Sequence, residues 1–298
     1  SQSFEARPDG TVLASFHVDT GKRVWTAAEV EEARHALKQY GDEDVAQIAF
    51  DQVGEAYLQA GKAKEAVEEF QRLAKAQPGK ASPLLHYANA LLAAGLGEEA
   101  RSQALRAVAL EPQSARTHRA LAWIYQHDLM GRRFGKGWDP AAAREEYKKA
   151  KTLDPKDYPS RADLGILLEH APDGVRYSAK ADLAAAVLEY EGIRKDLDDH
   201  RMDINLLVDL AKLGRYDEAS ELAKGMPASS VRDNWMVVCL VEQKGLEGAL
   251  QESERLLPNT ASRRAALLAA ADQLVRLRKY PEAARLLRDG SEGSDQMA

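Results

Sequence analysis

A pattern that repeats every 34 residues is the feature that most constrains the fold of this chain. The stretches VGEAYLQAGKAKEAVEEFQRLAKAQP (53–78) and YANALLAAGLGEEARSQALRAVALEP (87–112) align with Gly, Ala and Pro at equivalent places. Each stretch has the apolar spacing of two helices, with glycine at the turn between them and proline after the second helix. One such helix pair cannot bury its own apolar face, so consecutive copies must stack into an array with a continuous core.

A third copy begins at LAWIYQ (121–126) and ends at AAAREEYKKAKTLDP (141–155), and weaker copies follow as far as residue 289. The small residues, the aromatics and the closing proline resemble the pattern of the tetratricopeptide repeat family. The resemblance is strong over 47–157 and weakens towards the end of the chain. It implies an all-α fold, a right-handed superhelical solenoid of antiparallel helix pairs whose first helices line a concave surface. It also implies a non-catalytic scaffold that binds a protein or peptide.

The domain organisation follows from where the repeats begin and end. Residues 1–25 contain turn signals and an alternating apolar stretch, which predict either an extended arm or a small hairpin. Residues 26–46 are predicted to form an N-terminal capping helix, because they begin with a capping-box spacing and continue with an apolar stripe. About seven helical hairpins occupy 47–289, and the polar tail at 290–298 is predicted to be disordered.

Repeats three and four each carry nine extra residues between their first and second helices. The spacing from Tyr125 to Ala143, and from Leu168 to Ala186, is eighteen residues, against nine in an ordinary repeat. Both insertions begin just after a histidine at the same repeat position. We therefore expect two long loops on the same edge of the array.

The first insertion, HDLMGRRFGKGWD (127–139), holds three glycines, three Arg or Lys residues and two large aromatics. Its glycine spacing is one residue too short for a phosphate-binding loop, and it lacks the Ser or Thr that would bind magnesium. We expect an ordered turn in which Phe134 and Trp138 are partly buried against neighbouring helices. Contact with a partner is the alternative, because ordered insertions on a rigid scaffold often carry recognition. The residues that would make such contact are Arg132, Arg133, Phe134 and Trp138.

The tetratricopeptide resemblance also implies which positions face a ligand. In that family they are the second, fifth, ninth and twelfth or thirteenth places of the first helix. Arg116, Arg119 and Trp123 form the most informative group, because two cations and an aromatic on one helix face suit a carboxylate or an extended peptide. The other positions carried over are Asp51, Glu55, Gln59, Ser82, Asn89, Leu92, Gln126, His127, Glu169, His170, Arg232, Trp235 and Glu242. The family's carboxylate clamp of lysine and asparagine is not reproduced, and a charged surface without a ligand is the alternative.

No catalytic or cofactor-binding pattern occurs in the sequence. Cys239 lies in the apolar stretch MVVCLV, which is typical of an inert core cysteine. His127 and His170 occupy equivalent places in adjacent repeats, about 10 Å apart at helix-packing distance, which is too far for shared metal coordination unless the side chains converge. We therefore predict no enzyme activity, no cofactor and no metal.

Charge and hydropathy limit the class of partner. The net charge of −6 argues against a general nucleic-acid binder, and no uncharged apolar run reaches the ~18 residues of a membrane span. We therefore predict no nucleic acid and no membrane span. The tetratricopeptide resemblance implies a protein or peptide partner, and a monomer is favoured. The compartment, periplasm or cytoplasm, stays open.

The inserted repeats also resemble the helical-repeat region of large bacterial proteins that continue into a transglutaminase-like domain. The stretches that carry this second resemblance are HDLMGRRFGKGWD, AKTLDPKD, ILLEHAPDGVRYSAKADLAAAVLEY and DINLLVDLAKLGRYDEA. The Cys, His and Asp motifs of such a catalytic domain do not occur in 1–298. This resemblance implies an accessory docking module of a larger bacterial envelope enzyme, and it favours export.

Overall fold

The computed structural model describes residues 3–6, 12–15, 57–58 and 61–291. Two short strands, β1 (Ser3–Ala6) and β2 (Val12–Ser15), pair antiparallel with Ser3 opposite Ser15. The capping helix predicted at 26–46 lies outside the described residues, as do three of the predicted ligand-facing residues, Asp51, Glu55 and Gln59.

Helices account for nearly all the rest of the described chain. They are α1 (Ala63–Ala76), α2 (Ala81–Ala93), α3 (Gly97–Leu110), α4 (Ala115–Tyr125), α5 (Pro140–Leu153), α6 (Tyr158–Leu168), α7 (Leu183–Leu197), α8 (Asp203–Lys212), α9 (Tyr216–Gly225), α10 (Ser230–Leu256), α11 (Thr260–Arg276) and α12 (Tyr280–Ser291). The prediction of an all-α solenoid of helical hairpins is confirmed. Among the described helices, none is long and apolar enough to cross a bilayer.

Contacts divide the chain into two compact units, residues 1–107 and residues 108–298. In the first unit, α1 packs on α2 around a small apolar cluster, and both repeats turn at a glycine. Gly61 and Gly95 have φ angles of 72° and 78°, a left-handed backbone that glycine adopts without steric cost. This requirement explains the glycine that recurs at the turn of the 34-residue pattern.

In the second unit, α4 to α12 pack on one another in sequence order, as stacked helix pairs must. Tyr147 of α5 and Tyr190 of α7 occupy equivalent places, and both are completely buried beside small residues. One predicted hairpin lies within α10, where Gly245, with φ 69° and ψ 176°, separates helical segments 230–244 and 246–256.

Gly165 is a position at which this packing requires the absence of a side chain. An ideal Cβ on Gly165 would lie 2.3 Å from Cε1 of the buried Tyr190 ring. Because the ring is enclosed and cannot move aside, we expect Gly165→Ala to lower the free energy of unfolding by about 1–3 kcal/mol, despite the higher helix propensity of alanine. Urea unfolding followed by circular dichroism measures the change.

Gly225→Ala is the matched control, because no atom lies within 4 Å of an ideal Cβ at that position. We expect it to leave the unfolding midpoint unchanged or slightly raised. If Gly165→Ala and the parent unfold at the same urea concentration, the close approach of α6 and α7 is wrong.

Candidate functional site

The two insertions form ordered loops, which we call the first loop (residues 127–139) and the second loop (residues 170–182). Each carries an isolated β-bridge between its histidine and an arginine six residues later. Equivalent residues of the two loops lie 43 positions apart, so one backbone plan occurs twice. Phe134 and Tyr177 even share a left-handed backbone, with φ angles of 53° and 60°.

A buried glutamine holds the first loop in place. Gln126 Oε1 accepts a hydrogen bond from Arg133 Nε at 2.8 Å, and Gln126 Nε2 donates to the Tyr147 hydroxyl at 2.7 Å. The backbone N–H of Phe134 donates to the Gln126 carbonyl at 2.7 Å. Gln126 was predicted to face a ligand, but its side chain is fully buried and its amide group is hydrogen-bonded to Arg133 and Tyr147.

A buried glutamate holds the second loop in the same way. Glu169 accepts hydrogen bonds from Arg176 Nε at 2.7 Å, from the Tyr190 hydroxyl at 2.7 Å and from Asn205 Nδ2 at 2.9 Å. Its carboxylate also forms an ion pair with the terminal guanidinium nitrogen of Arg176. Glu169 was likewise predicted to face a ligand, and it too is completely buried. The charge of the exposed Arg176 is therefore compensated by a buried carboxylate.

The first loop packs on the second. Trp138 Nε1 donates to the Pro172 carbonyl at 3.0 Å, and the Phe134 ring stacks on the His170 ring with centroids 3.7 Å apart. At Gly174 an added Cβ would lie 2.1 Å from the Phe134 carbonyl oxygen. Trp138 is only 6% exposed and Phe134 is half-buried, as the sequence led us to expect. The contact between the loops was not foreseen, since nothing in the sequence marks it.

The loop histidines bond to backbone. Nδ1 of His127 donates to the Trp123 carbonyl, and Nδ1 of His170 donates to the Ile166 carbonyl, each at 2.8 Å. Burial lowers the pKa of both imidazoles, which favours their neutral forms at pH 7. No cluster of three or more metal-ligating side chains occurs in the part of the chain that the structure describes.

The ligand-facing group predicted on α4 is only partly available. Arg116 is exposed, but the Arg119 guanidinium lies 3.3 Å from the Asp157 carboxylate and the side chain is 30% exposed. The half-buried Trp123 ring lies beneath the Arg133 guanidinium, whose central carbon is 4.4 Å from the ring centroid. Of the other predicted positions, Asn89 in the first unit is exposed, whereas Leu92 and Trp235 are buried.

Cations and aromatic rings alternate beside the loops, in a set that we call the cation–aromatic row. The Arg133 guanidinium lies over the rings of Trp123 and Phe134, and the Arg176 guanidinium lies over Tyr177. The Lys212 ammonium is near the same Tyr177 ring and near Trp235, 4.9 and 5.3 Å from their centroids. The members of the row are Trp123, Arg133, Phe134, Arg176, Tyr177, Lys212 and Trp235. Such contacts are favourable and hold a cation in a fixed orientation. The row could not be predicted from the sequence, because the residues of the row come from two loops and three helices.

Asp209 of α8 is the least satisfied buried group near the row. It is completely buried, and neither of its carboxyl oxygens has a hydrogen-bond partner among the described residues. Burial, reinforced by the nearby Glu169 carboxylate, raises the pKa of Asp209 to about 8. Arg176 and Lys212 oppose this rise without overcoming it.

Trp138 is expected to carry much of the stability of the loop pair. We predict that Trp138→Ala lowers the free energy of unfolding by about 3–5 kcal/mol, because the indole is buried in packed surroundings. Trp138→Phe keeps most of the apolar contact and loses the bond to Pro172, so its loss should be about 1–2 kcal/mol. Chemical denaturation gives both values, and an alanine variant as stable as the parent would show that the loop is not held by this ring.

The raised pKa of Asp209 predicts how the stability of the protein depends on pH. Its folded pKa is raised above the unfolded value of ~3.9, so the unfolded state loses its proton first and stability falls as pH rises from about 4 to about 8. Asp209→Asn removes the ionisable group and with it this loss of stability. The variant should therefore be more stable than the parent at pH 8, by about 2 kcal/mol or more. The advantage should shrink towards pH 4. Denaturation at a series of pH values tests this, and a constant difference between the two proteins would contradict it.

Comparison with known proteins gives one family. Residues 57–124 match the family model of the tetratricopeptide repeat. The sequence matches none of the curated proteins with which it was compared. Nothing in these comparisons supports the second resemblance, to transglutaminase-like proteins.

Several solved structures are similar to this chain at low sequence identity. Pseudomonas aeruginosa pilF is 17% identical over 74% of this chain and 96% of its own, with a TM-score of 0.51. A tetratricopeptide repeat protein from Parabacteroides merdae is 12% identical over 82% of this chain and 91% of its own, with a TM-score of 0.47. The Naa15/Naa10 structure bound to HypK-THB is 17% identical over 84% of this chain, with a TM-score of 0.47, and the match spans only 37% of that longer chain. The 34-residue pattern and the helical hairpins agree with this match, which places tetratricopeptide repeats at residues 57–124.

Proposed function

We propose that this protein is a non-catalytic scaffold that binds a segment of a partner protein on the exposed face of α4 and the adjoining first loop. The observation that supports this most directly is the pairing of Trp123 with Arg133. A partly exposed tryptophan covered by an arginine unites the two residue types that most often dominate the energy of protein interfaces.

The rigidity of this surface supports the same function. The first loop is fixed at its start by Gln126 and near its end by the bond from Trp138 to Pro172. A partner that binds a loop already ordered does not have to supply the free energy of ordering it. This is how recognition elements on rigid scaffolds commonly work.

The described residues offer little to catalysis. Burial raises the pKa of the Cys239 thiol to about 12, so the thiolate required of a nucleophile is almost absent at pH 7. His127 and His170 each use Nδ1 on a backbone carbonyl and are partly or wholly enclosed. Binding is therefore the function that this geometry favours.

The test begins with selection of binding peptides from a randomised library displayed on phage, with the purified chain as bait. The affinity of the selected peptides is then measured by fluorescence anisotropy. We expect Trp123→Ala to weaken binding by about 2 kcal/mol or more, because truncation removes the central apolar contact. Tyr280→Ala is the matched control, since Tyr280 is an exposed aromatic of α12.

Arg119→Glu is a less informative variant than Trp123→Ala. It would break the ion pair with Asp157 and place two carboxylates side by side, so that a loss of stability would accompany any loss of binding. If the selected peptides bind Trp123→Ala and the parent equally well, the exposed face of α4 is not the binding surface.

A further inference from the structure

We infer that Arg133 binds a carboxylate side chain of an acidic partner segment, with the ring of Trp123 contacting an apolar residue beside it. This inference rests on the proposed function and names the chemistry of the partner. It follows from a difference between the two loops, which are otherwise built alike.

The loops differ in the charge of the residue that holds the arginine. Arg176 in the second loop meets the buried carboxylate of Glu169, and the two charges cancel. Arg133 at the equivalent place in the first loop meets the neutral amide of Gln126. Within the described residues, no carboxylate forms an ion pair with Arg133, so its charge is left for a ligand.

The Arg133 guanidinium also has unused hydrogen-bond donors. Its Nε is bonded to Gln126, whereas neither terminal nitrogen has a hydrogen-bond partner among the described residues. The side chain is exposed. The outer edge of a guanidinium presents parallel N–H groups that match the two oxygens of a carboxylate, and such paired bonds are stronger than neutral ones.

Two aromatic rings pack against this guanidinium. Its central carbon lies 4.4 Å from the centroid of Trp123 and 4.8 Å from that of Phe134. Phe134 is itself held by stacking on His170. An arginine that is already oriented loses little side-chain entropy on binding, which favours affinity.

The neighbouring carboxyl groups do not occupy Arg133. Asp163 of α6 lies close enough to influence Arg133 and Arg119 electrostatically, but it forms no ion pair with either in the described part of the chain. Burial raises the pKa of Asp163, even though the two arginines oppose the rise. Asp157 is already paired with Arg119. A carboxylate brought by a partner therefore meets an arginine that has no competing ion pair.

The duplicated plan supplies the experiment. Gln126→Glu gives the first loop the carboxylate that neutralises Arg176 in the second loop, and it leaves the guanidinium, Trp123 and Phe134 in place. Selected peptides with amidated carboxyl ends are measured against the parent and this variant. We expect binding to weaken at least about tenfold, which corresponds to ~1.4 kcal/mol.

Three further measurements separate a specific contact from a general effect of charge. Gln251→Glu makes the same charge change at an exposed place on α10 and should alter the affinity by less than about twofold. Arg133→Gln, an exposed change that does not depend on burying a new charge, should weaken binding as Gln126→Glu does. Replacing the acidic residue of the peptide by its amide should weaken binding to the parent but not to Arg133→Gln, as a double-mutant cycle requires for residues in contact.

The outcomes distinguish this inference from the proposed function. Peptides that require Trp123, but that carry no Asp or Glu or bind Gln126→Glu and Arg133→Gln as they bind the parent, would overturn the role of Arg133 alone. Peptides that bind only with a free carboxyl end would replace the acidic side chain by a chain terminus and would also overturn the inference as stated. A library that yields no binding peptide would count against both.

Discussion

The close stacking of helix pairs is the constraint on which the rest of the second unit depends. A helix pair of this kind has too little core of its own, so its stability comes from burying an apolar face against the next pair. Close approach requires small residues on one helix and large rings on its neighbour. Gly165 and Tyr190 show this most clearly, because the ring occupies the space in which any side chain at 165 would lie.

This stacking also determines where additional chain can go. Nine extra residues cannot enter the packed interior, so in both repeats they extend from the turn between the helices. The added residues must be anchored there, and in each repeat a single buried polar side chain anchors them. The amide of Gln126 and the carboxylate of Glu169 each bond an arginine of the loop and a tyrosine hydroxyl of the following helix, so burial of these polar groups is compensated by hydrogen bonds.

The first loop is anchored by an amide and the second by a carboxylate. This difference determines whether the loop arginine is paired with a carboxylate inside the protein. The pair of Glu169 and Arg176 is internally neutral and contributes to the order of the second loop. The pair of Gln126 and Arg133 orders the first loop through a side-chain hydrogen bond from the guanidinium to an uncharged amide, and it leaves the positive charge of Arg133 without a carboxylate partner among the described residues. Asp209 is a contrasting case: its buried carboxyl group has no hydrogen-bond partner among the described residues, and the nearby charges of Arg176 and Lys212 do not overcome the effect of burial.

The sequence by itself determined the all-α class, the hairpin unit, the turn glycines and the two insertions at one repeat position. These features are local or periodic, so the spacing of residues along the chain is enough to reveal them. Only the tertiary structure decided which polar side chains turn inward and which cations are paired with a carboxylate. Arg119 is hydrogen-bonded to Asp157, 38 residues along the chain, and Trp138 is hydrogen-bonded to Pro172, 34 residues along the chain. Such pairings depend on how one helix pair packs against the next, and no spacing in the sequence records that packing.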